Sequence, residues 1–180
     1  MSYDRASEPT SRPEALAVVI IDMQPEFLKA LRFRAVLRLI AEQVRIIREC
    51  ARQDVPVFVI EFSDGGETDY ELARELARVP RVFRFKKTEN DAFTNAGFEH
   101  ALDAEGVTRL LLMGVNASYC VLETAYSARK KGYDVRIGWN LIADATCINF
   151  LTRWVDKWRS IRWYARNGNA RLRVRTLSVL

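Results

Sequence analysis

The sequence RLLLMGVNASYCVLETAYSARKKGYDVRI, residues 109–137, combines two predicted strands with the helix between them. The apolar run at 109–114 is typical of a strand that is buried on both faces. A helical pattern follows at 118–131, and Gly132 stands where helices commonly end. A second strand is predicted at 133–137. Parallel strands need a crossover of this length, so the segment indicates one unit of a parallel sheet.

The same alternation of strand and helix patterns runs through the rest of the chain. The apolar run ALAVVII at 15–21 predicts another buried strand, and apolar residues recur at helical spacing through 28–52. Further strands are predicted at 55–62, 82–85 and 172–174, and further helices at 69–78, 96–105 and 150–164. We therefore predict an α/β fold with three αβα layers around a mostly parallel sheet. Residues 1–14 are expected to form a flexible leader, and 15–180 a single domain.

The positive charge of the chain is concentrated at one end. The 180 residues contain 28 Lys and Arg and 23 Asp and Glu, a net charge of +5. Residues 150–180 hold eight basic side chains and one acidic one, a net of +7, which leaves residues 1–149 with a net of −2. Arginines interleaved with Trp154, Trp158 and Trp163 could bind a nucleic acid, an interpretation that we disfavour. The alternative is a helix packed on the sheet or on another subunit, so residues 150–166 are our candidate interface of a homo-oligomer.

Cysteine usage and hydropathy indicate a soluble protein of a reducing compartment. Three cysteines without C-x-x-C spacing disfavour a disulfide framework and a structural zinc site. Residues 1–17 lack the apolar core of a signal peptide, and no apolar stretch approaches 18 residues. We expect a cytoplasmic protein with no membrane partner.

Two chemically capable side chains lie at predicted strand ends, where open parallel sheets place their sites. Asp22 follows the first strand; it is either a turn or cap residue, or a general base whose pKa is raised by apolar neighbours. Cys120 opens the helix after the fourth strand, where the helix dipole favours a thiolate, although free cysteines are usually small buried hydrophobes. Cys50 and Cys147 are interpreted as structural.

The third strand and the single histidine give weaker indications. Lys86 and Lys87 follow the third strand, and periodicity does not decide which of them points inward. His100 lies on a predicted helix without a partner histidine, and we interpret it as a surface or packing residue. Since a Cys-His dyad could use only this histidine, a nucleophile in this chain is expected to use a carboxylate base.

Three separated segments carry a family resemblance. They are IIDMQPEF at 20–27, KTENDAF at 87–93 and GVNASYCVLETAYSARKKGYDV at 114–135. In this order they resemble the isochorismatase-like cysteine hydrolases, which include nicotinamidases, N-carbamoylsarcosine amidases and related ureido or amide hydrolases. The resemblance covers about residues 15–145, and its third segment is the most specific.

The resemblance implies a fold and a set of catalytic residues. It implies a six-stranded parallel sheet of order 3-2-1-4-5-6. It identifies Asp22 as the catalytic base, selects Lys87 over Lys86 as the catalytic lysine, and makes Cys120 the nucleophile.

The same resemblance implies the surroundings of the nucleophile. The peptide between Val115 and Asn116 would be cis, and the N–H groups of Asn116 and Cys120 would hold the oxyanion. Phe27 matches an aromatic position of the pocket wall, and Tyr119 is a further candidate for substrate binding.

The sequence also departs from part of this family. Nicotinamidases bind a metal through an Asp-x-His pair and a further histidine, whereas the corresponding residues 60–70, IEFSDGGETDY, contain no histidine. We therefore expect no metal, no cofactor and no nicotinamide substrate. Isochorismatases proper cleave a vinyl ether without a thiol, so Cys120 favours hydrolysis of a C–N bond.

The expected function is thus an amidohydrolase acting on a small molecule. Asp22 would activate Cys120, Lys87 would support the pair, and a thioester would form and be hydrolysed. A nitrilase-type hydrolase is a chemically close alternative that usually needs a longer chain. A non-catalytic interaction protein on the same scaffold remains open as well.

Overall fold

The computed structural model describes residues 15–144, 162–164, 166, 174, 176 and 177. Within these residues five parallel strands form one sheet, in the order β3-β2-β1-β4-β5. The strands are β1 (Leu16–Ile21), β2 (Val57–Phe62), β3 (Val82–Lys87), β4 (Arg109–Val115) and β5 (Asp134–Ala143). The helices are α1 (Pro25–Leu28), α2 (Phe33–Gln53), α3 (Tyr70–Leu76), α4 (Ala96–Ala104) and α5 (Cys120–Lys130), with a 3₁₀ turn at Ala92–Thr94.

Helices cover both faces of the sheet, as the buried strands require. Alternate residues of β1 point to opposite faces. Val19 and Ile21 join a core that includes Phe98 of α4 and Leu122 of α5. Val18 and Ile20 belong instead to a core that also includes these residues of α2 and α3: Leu39, Ile46, Ile47, Leu72 and Leu76. The predicted α/β class and its αβα layers are therefore confirmed.

The described residues form five strands rather than the six that the resemblance implied. The sixth strand, predicted at 172–174, lies outside the described residues except for Val174. The backbone N–H and carbonyl of Val174 bond to the side-chain amide of Asn140 in β5, at 3.1 and 2.7 Å. Residues 1–14 and most of the predicted helix 150–164 also lie outside the description.

Several predicted boundaries differ from the observed ones for local reasons. The predicted helix at 28–52 is split, because Pro25 starts a separate short helix before α2 begins at Phe33. The fifth strand continues beyond 137 to Ala143, with a register shift against β4. The sequence pattern does not predict this extension, because Gly138 and Asn140 interrupt the apolar run and both residue types are depleted in strands. Gly132 follows α5 with φ +97°, as its predicted position at the helix end requires.

A close approach between β1 and β4 shapes the carboxyl edge of the sheet. Gly114 pairs with Ile21 and adopts φ +138°. A Cβ atom at this position would lie 2.0 Å from the carbonyl oxygen of Ile21. Only glycine therefore fits here, between the strand that leads into Asp22 and the strand that leads toward Cys120.

Candidate active site

Asp22 lies at the centre of the carboxyl edge of the sheet. It follows β1 with φ 51°, a left-handed conformation that aspartate tolerates better than most residues. Its N–H donates to the carbonyl of Ile60 in β2 at 2.9 Å, which fixes the backbone. The side chain is fully buried, and its Oδ1 accepts no hydrogen bond of ordinary geometry from the described residues. Burial raises the pKa of Asp22, while the charge of Lys87 and the neighbouring Cys120 thiol lower it.

Lys87 is the inward-pointing lysine of the pair that the sequence left undecided. It is the last residue of β3 and 3% exposed, whereas Lys86 is exposed. Its Nζ lies 2.9 Å from Asp22 Oδ2 and donates to the carbonyl of Glu89 at 3.0 Å. The same ammonium lies 4.8 Å from the centroid of the Phe62 ring. A buried lysine with these contacts forms a neutral ion pair with Asp22 and also anchors the loop after β3.

Cys120 is the first residue of α5 and is 6% exposed. Burial and the neighbouring Asp22 raise the pKa of the Cys120 thiol to about 12. The position of Cys120 at a helix start predicts an environment that favours the thiolate. This prediction is wrong for the free protein, because burial and a nearby carboxylate outweigh the helix dipole. The thiol donates to Oδ1 of Asn90, with Sγ and oxygen 3.5 Å apart. Cys120 is thus a neutral thiol that lies between an amide and a carboxylate.

The loop between β4 and α5 is held by neighbouring elements. The Val115–Asn116 peptide is cis, as the resemblance implied. The N–H of Ala117 donates to the carbonyl of Ala143 at 3.0 Å, and the Tyr164 hydroxyl donates to the carbonyl of Ala117 at 2.6 Å.

Asp144 braces the same loop through the next residue. Ser118 donates from its N–H and its hydroxyl to the two carboxylate oxygens of Asp144, at 2.7 and 2.6 Å. Cys120, as the first helical residue, presents an N–H that the helix itself does not satisfy. The role of the Asn116 and Cys120 N–H groups as oxyanion donors stays a prediction.

The two candidate pocket residues belong to different parts of the fold. Phe27 is half-buried and meets the Phe62 ring edge to face, with centroids 6.0 Å apart. Tyr119, the residue before α5, is 39% exposed. Gln24, which sequence reasoning missed, fastens the loop after β2: it accepts from Phe62 N–H at 2.8 Å and donates to its carbonyl at 2.9 Å. Its position two residues after Asp22 was the available signal.

The remaining sequence candidates lie away from this site or outside the described residues. His100 is exposed on α4, as predicted. Cys50 is fully buried in α2, and burial raises the pKa of its thiol to about 12. Cys147 falls outside the described residues. Trp163, one of the candidate base-stacking residues, is 8% exposed and packs on Tyr126 with ring centroids 5.2 Å apart.

The described residues contain neither a candidate metal site nor a candidate membrane span. The described His, Cys, Asp and Glu side chains form no group of three or more that could hold a metal ion. Among the described helices, none is both long and apolar enough to span a bilayer.

Comparison with known proteins relates this geometry to a family. A family profile described as the isochorismatase domain matches residues 16–165. Streptothricin hydrolase from Streptomyces noursei is 30% identical over 127 residues, which cover 66% of this chain and 46% of that protein. The ureidoacrylate amidohydrolase RutB of Caulobacter vibrioides is 30% identical over 81 residues, 45% of this chain and 34% of that protein. The chain thus spans less than half of either relative.

A solved structure has the same fold at lower identity. The nicotinamidase of Staphylococcus aureus superposes with a TM-score of 0.74 at 17% identity, covering 89% of this chain and 98% of that one. The fold is therefore shared, and the profile match extends over most of the sequence. On this ground the chain belongs to the isochorismatase family.

Proposed function

We propose that this protein hydrolyses a C–N bond of a small carboxamide, ureido or carbamoyl compound through a thioester on Cys120. One observation carries the proposal: Asp22, Lys87 and Cys120, which come from three different strand ends, are buried together and interact. A nucleophile, a base and a cation that fixes the base are the parts that covalent acyl transfer needs. The names of two relatives, a hydrolase and a ureidoacrylate amidohydrolase, support this class of reaction.

The first half of the reaction transfers the acyl group to sulfur. Asp22 takes the thiol proton of Cys120 as sulfur attacks the carbonyl carbon, and the C–S bond forms. The N–H groups of Asn116 and Cys120 hold the oxyanion. When the C–N bond breaks, Asp22 returns the proton to the departing nitrogen, which leaves as ammonia or an amine. Lys87 keeps Asp22 oriented and offsets negative charge at the site.

The second half releases the product and restores the thiol. Water enters after the amine has left, and Asp22 takes one of its protons as the oxygen attacks the thioester carbon. The C–S bond then breaks, and the proton held by Asp22 returns to the sulfur of Cys120. The sum is one amide and one water converted to one acid and one ammonia or amine.

The direct test measures ammonia release from a panel of small amides, ureas and carbamoyl compounds. For any substrate found, Cys120→Ala should reduce turnover to background. Asp22→Asn should reduce it by about 10²- to 10⁴-fold, the usual contribution of a general base. Acid quenching during turnover should trap a mass increase on Cys120 that equals the acyl group.

The matched control is Cys50→Ala, which removes the other described cysteine, in the core away from the site. This variant should keep its turnover once folded. Full turnover by Cys120→Ala would show that the thioester mechanism is wrong. If the wild-type protein turns over none of the panel and acquires no acyl mass on Cys120, the non-catalytic interaction protein is favoured instead.

Oligomerisation through residues 150–166 stays a separate prediction. Most of that segment lies outside the described residues. Sedimentation of the full chain tests it, and a monomer at micromolar concentration would remove the suggestion.

A further inference from the structure

A side-chain amide lies next to the proposed nucleophile. Oδ1 of Asn90 accepts from the Cys120 thiol, with oxygen and sulfur 3.5 Å apart. Asn90 also lines a cavity of about 450 Å³ that opens beside Phe62, and pockets of this volume suit small molecules. The cavity is also lined by Thr88, Glu89, Asp91 and Glu123. Asn90 therefore lies between the sulfur and a space that can accommodate a substrate.

The residues on either side of Asn90 are held by the elements that carry the other reactive side chains. On one side, the carbonyl of Glu89 accepts from the buried Lys87 ammonium at 3.0 Å. On the other side, a carboxylate oxygen of Asp91 accepts from the hydroxyl of Ser127 in α5. The loop after β3 is thus attached both to the proposed catalytic lysine and to the helix that begins with the nucleophile.

A third contact joins this loop to α5 one helical turn from the nucleophile. The N–H of Ala92 donates to Oγ1 of Thr124 at 3.0 Å. Thr124 is fully buried and lies four residues after Cys120, so the two residues share a face of α5. The fold therefore positions the backbone around Asn90 relative to the sulfur, and the contact between the amide and the thiol does not depend on an unattached loop.

The side-chain oxygen of Asn90 loses its donor when the thiol gives up its proton. Oδ2 of Asp22 is paired with Lys87 at 2.9 Å, whereas Oδ1 of this fully buried carboxylate has no hydrogen-bond partner among the described residues. In the proposed reaction, Oδ1 of Asp22 is therefore the oxygen that takes the proton of Cys120. After this transfer the sulfur has no hydrogen to donate, and the oxygen of Asn90 needs another donor.

A bound amide brings such a donor to this oxygen. The carbon that the sulfur attacks is bonded directly to the scissile nitrogen, so the N–H of that nitrogen comes close to the neighbours of the sulfur. We propose that Asn90 determines specificity for amides over esters, because its side-chain oxygen accepts an N–H of the scissile carboxamide or ureido group. This inference rests on the proposed function and adds a residue that recognises the leaving nitrogen. An ester has no N–H at this position and leaves the acceptor unsatisfied.

The test compares an amide with the methyl ester of the same acid. The amide is the most active compound of the panel described above, and kcat/KM is measured for both compounds because both form the same thioester. Asn90→Leu keeps a side chain of similar size and removes the acceptor. It should lower the amide-to-ester ratio of kcat/KM by about three- to tenfold, the usual effect of one hydrogen bond. A variant that only displaced the thiol would lower both values alike and leave the ratio unchanged.

A second variant distinguishes an acceptor from a donor at this position. Asn90→Asp provides a carboxylate that accepts an N–H but cannot donate, so the amide-to-ester ratio should stay at or above its wild-type value. Both rates should fall, because the added charge lies beside Cys120 and disfavours its thiolate. A ratio as low as that of Asn90→Leu would overturn the acceptor role. The control is Asn95→Asp, which adds the same charge where the side chain caps α4 and should keep the wild-type ratio.

Failure of this inference is distinguishable from failure of the proposed function. An unchanged ratio in Asn90→Leu, with turnover that depends on Cys120, would overturn the role of Asn90 and leave the C–N hydrolase intact. If no amide is turned over, the rates at which iodoacetamide and methyl iodoacetate alkylate Cys120, followed by mass spectrometry, still decide. These reagents carry the same amide and ester groups one bond from the reacting carbon. A lower iodoacetamide-to-ester ratio in Asn90→Leu than in wild type supports the inference, and an unchanged ratio overturns it.

Discussion

At the residue scale, the chemistry of the site depends on whether a proton resides on the carboxylate of Asp22 or on the sulfur of Cys120. Burial raises the pKa of both Asp22 and Cys120, and their mutual interaction keeps the thiol neutral at rest. Lys87 acts in the opposite direction on Asp22, because a cation at 2.9 Å favours the carboxylate. A base with a raised pKa is better matched to a thiol than an ordinary aspartate.

This balance predicts the acid limb of the pH–rate profile. Because the proposed base Asp22 must be ionised to accept a proton, kcat/KM should fall as pH decreases through its raised pKa. Lys87→Met removes the charge that lowers this pKa, so the limb should move to higher pH and the maximum rate should fall. Lys86→Met, the exposed neighbour, is the control and should leave the limb in place. An unmoved limb in Lys87→Met would contradict the assigned roles.

Gly114 gives a prediction about stability next to the same site. Gly114→Ala places a methyl group 2.0 Å from the Ile21 carbonyl oxygen, so β1 and β4 must separate. We expect a loss of about 2 kcal/mol or more in the free energy of unfolding, measured with urea. Gly132→Ala also has positive φ but open space around it, and should cost only about 1 kcal/mol. Equal losses would show that the contact with Ile21 is unimportant.

At the scale of elements, α2 and α3 are joined by a buried carboxylate. Glu75 of α3 is 1% exposed, and its two oxygens accept from Arg48 of α2 at 3.0 and 3.1 Å. Arg78 adds a third bond at 3.0 Å. These guanidinium groups, Arg48 first, lower the pKa of Glu75 to about 2. An ion pair so placed ties together two helices of one face of the sheet.

The lowered pKa of Glu75 predicts how stability depends on pH. Its contribution is fully present above the ordinary glutamate pKa and is lost as pH falls from about 4.5 toward about 2. In urea unfolding at pH 7 and pH 3, the wild-type protein should lose more stability than Glu75→Gln. The comparison variant is Glu71→Gln, which alters an exposed pair with Arg74. Parallel losses in wild type and Glu75→Gln would contradict this account.

At the scale of the whole molecule, described residues near the C-terminus close one of the two cores. Val174 is fully buried and Leu177 is 5% exposed, both in the core of α2 and α3. The Leu177 N–H donates to Glu49 of α2 at 2.8 Å. The segment with the +7 charge thus contributes apolar residues to the fold.

A core substitution tests this contribution. Leu177→Ala should lower the free energy of unfolding by about 2–4 kcal/mol, since it leaves a cavity in a packed core. Arg166→Gln, an exposed change in the same basic segment, should leave the stability within about 0.5 kcal/mol of wild type. A negligible effect of Leu177→Ala would mean that this end of the chain does not support the core.

Much of the fold and part of the site could be predicted from local patterns. Apolar runs and helical periodicity gave the αβα layers, because burial on both faces leaves its mark on consecutive residues. The strand-end rule and the family resemblance singled out Asp22, Lys87 and Cys120, which the structure brings together. Periodicity alone did not separate Lys87 from Lys86. The thiolate predicted from the position of Cys120 at a helix start was wrong, because the thiol stays protonated.

Tertiary structure was needed wherever a property depends on residues far apart in the chain. The raised pKa of Cys120 comes from burial and from Asp22, and its contact with Asn90 joins the start of α5 to the loop after β3. The lining of the cavity beside Phe62 likewise combines Glu89 with Glu123, which no short pattern connects. Local patterns record which side chains are buried, because each residue responds to its own environment. Electrostatic interactions and cavity shape depend on the distances between residues that are far apart in the sequence, and only the folded chain specifies those distances.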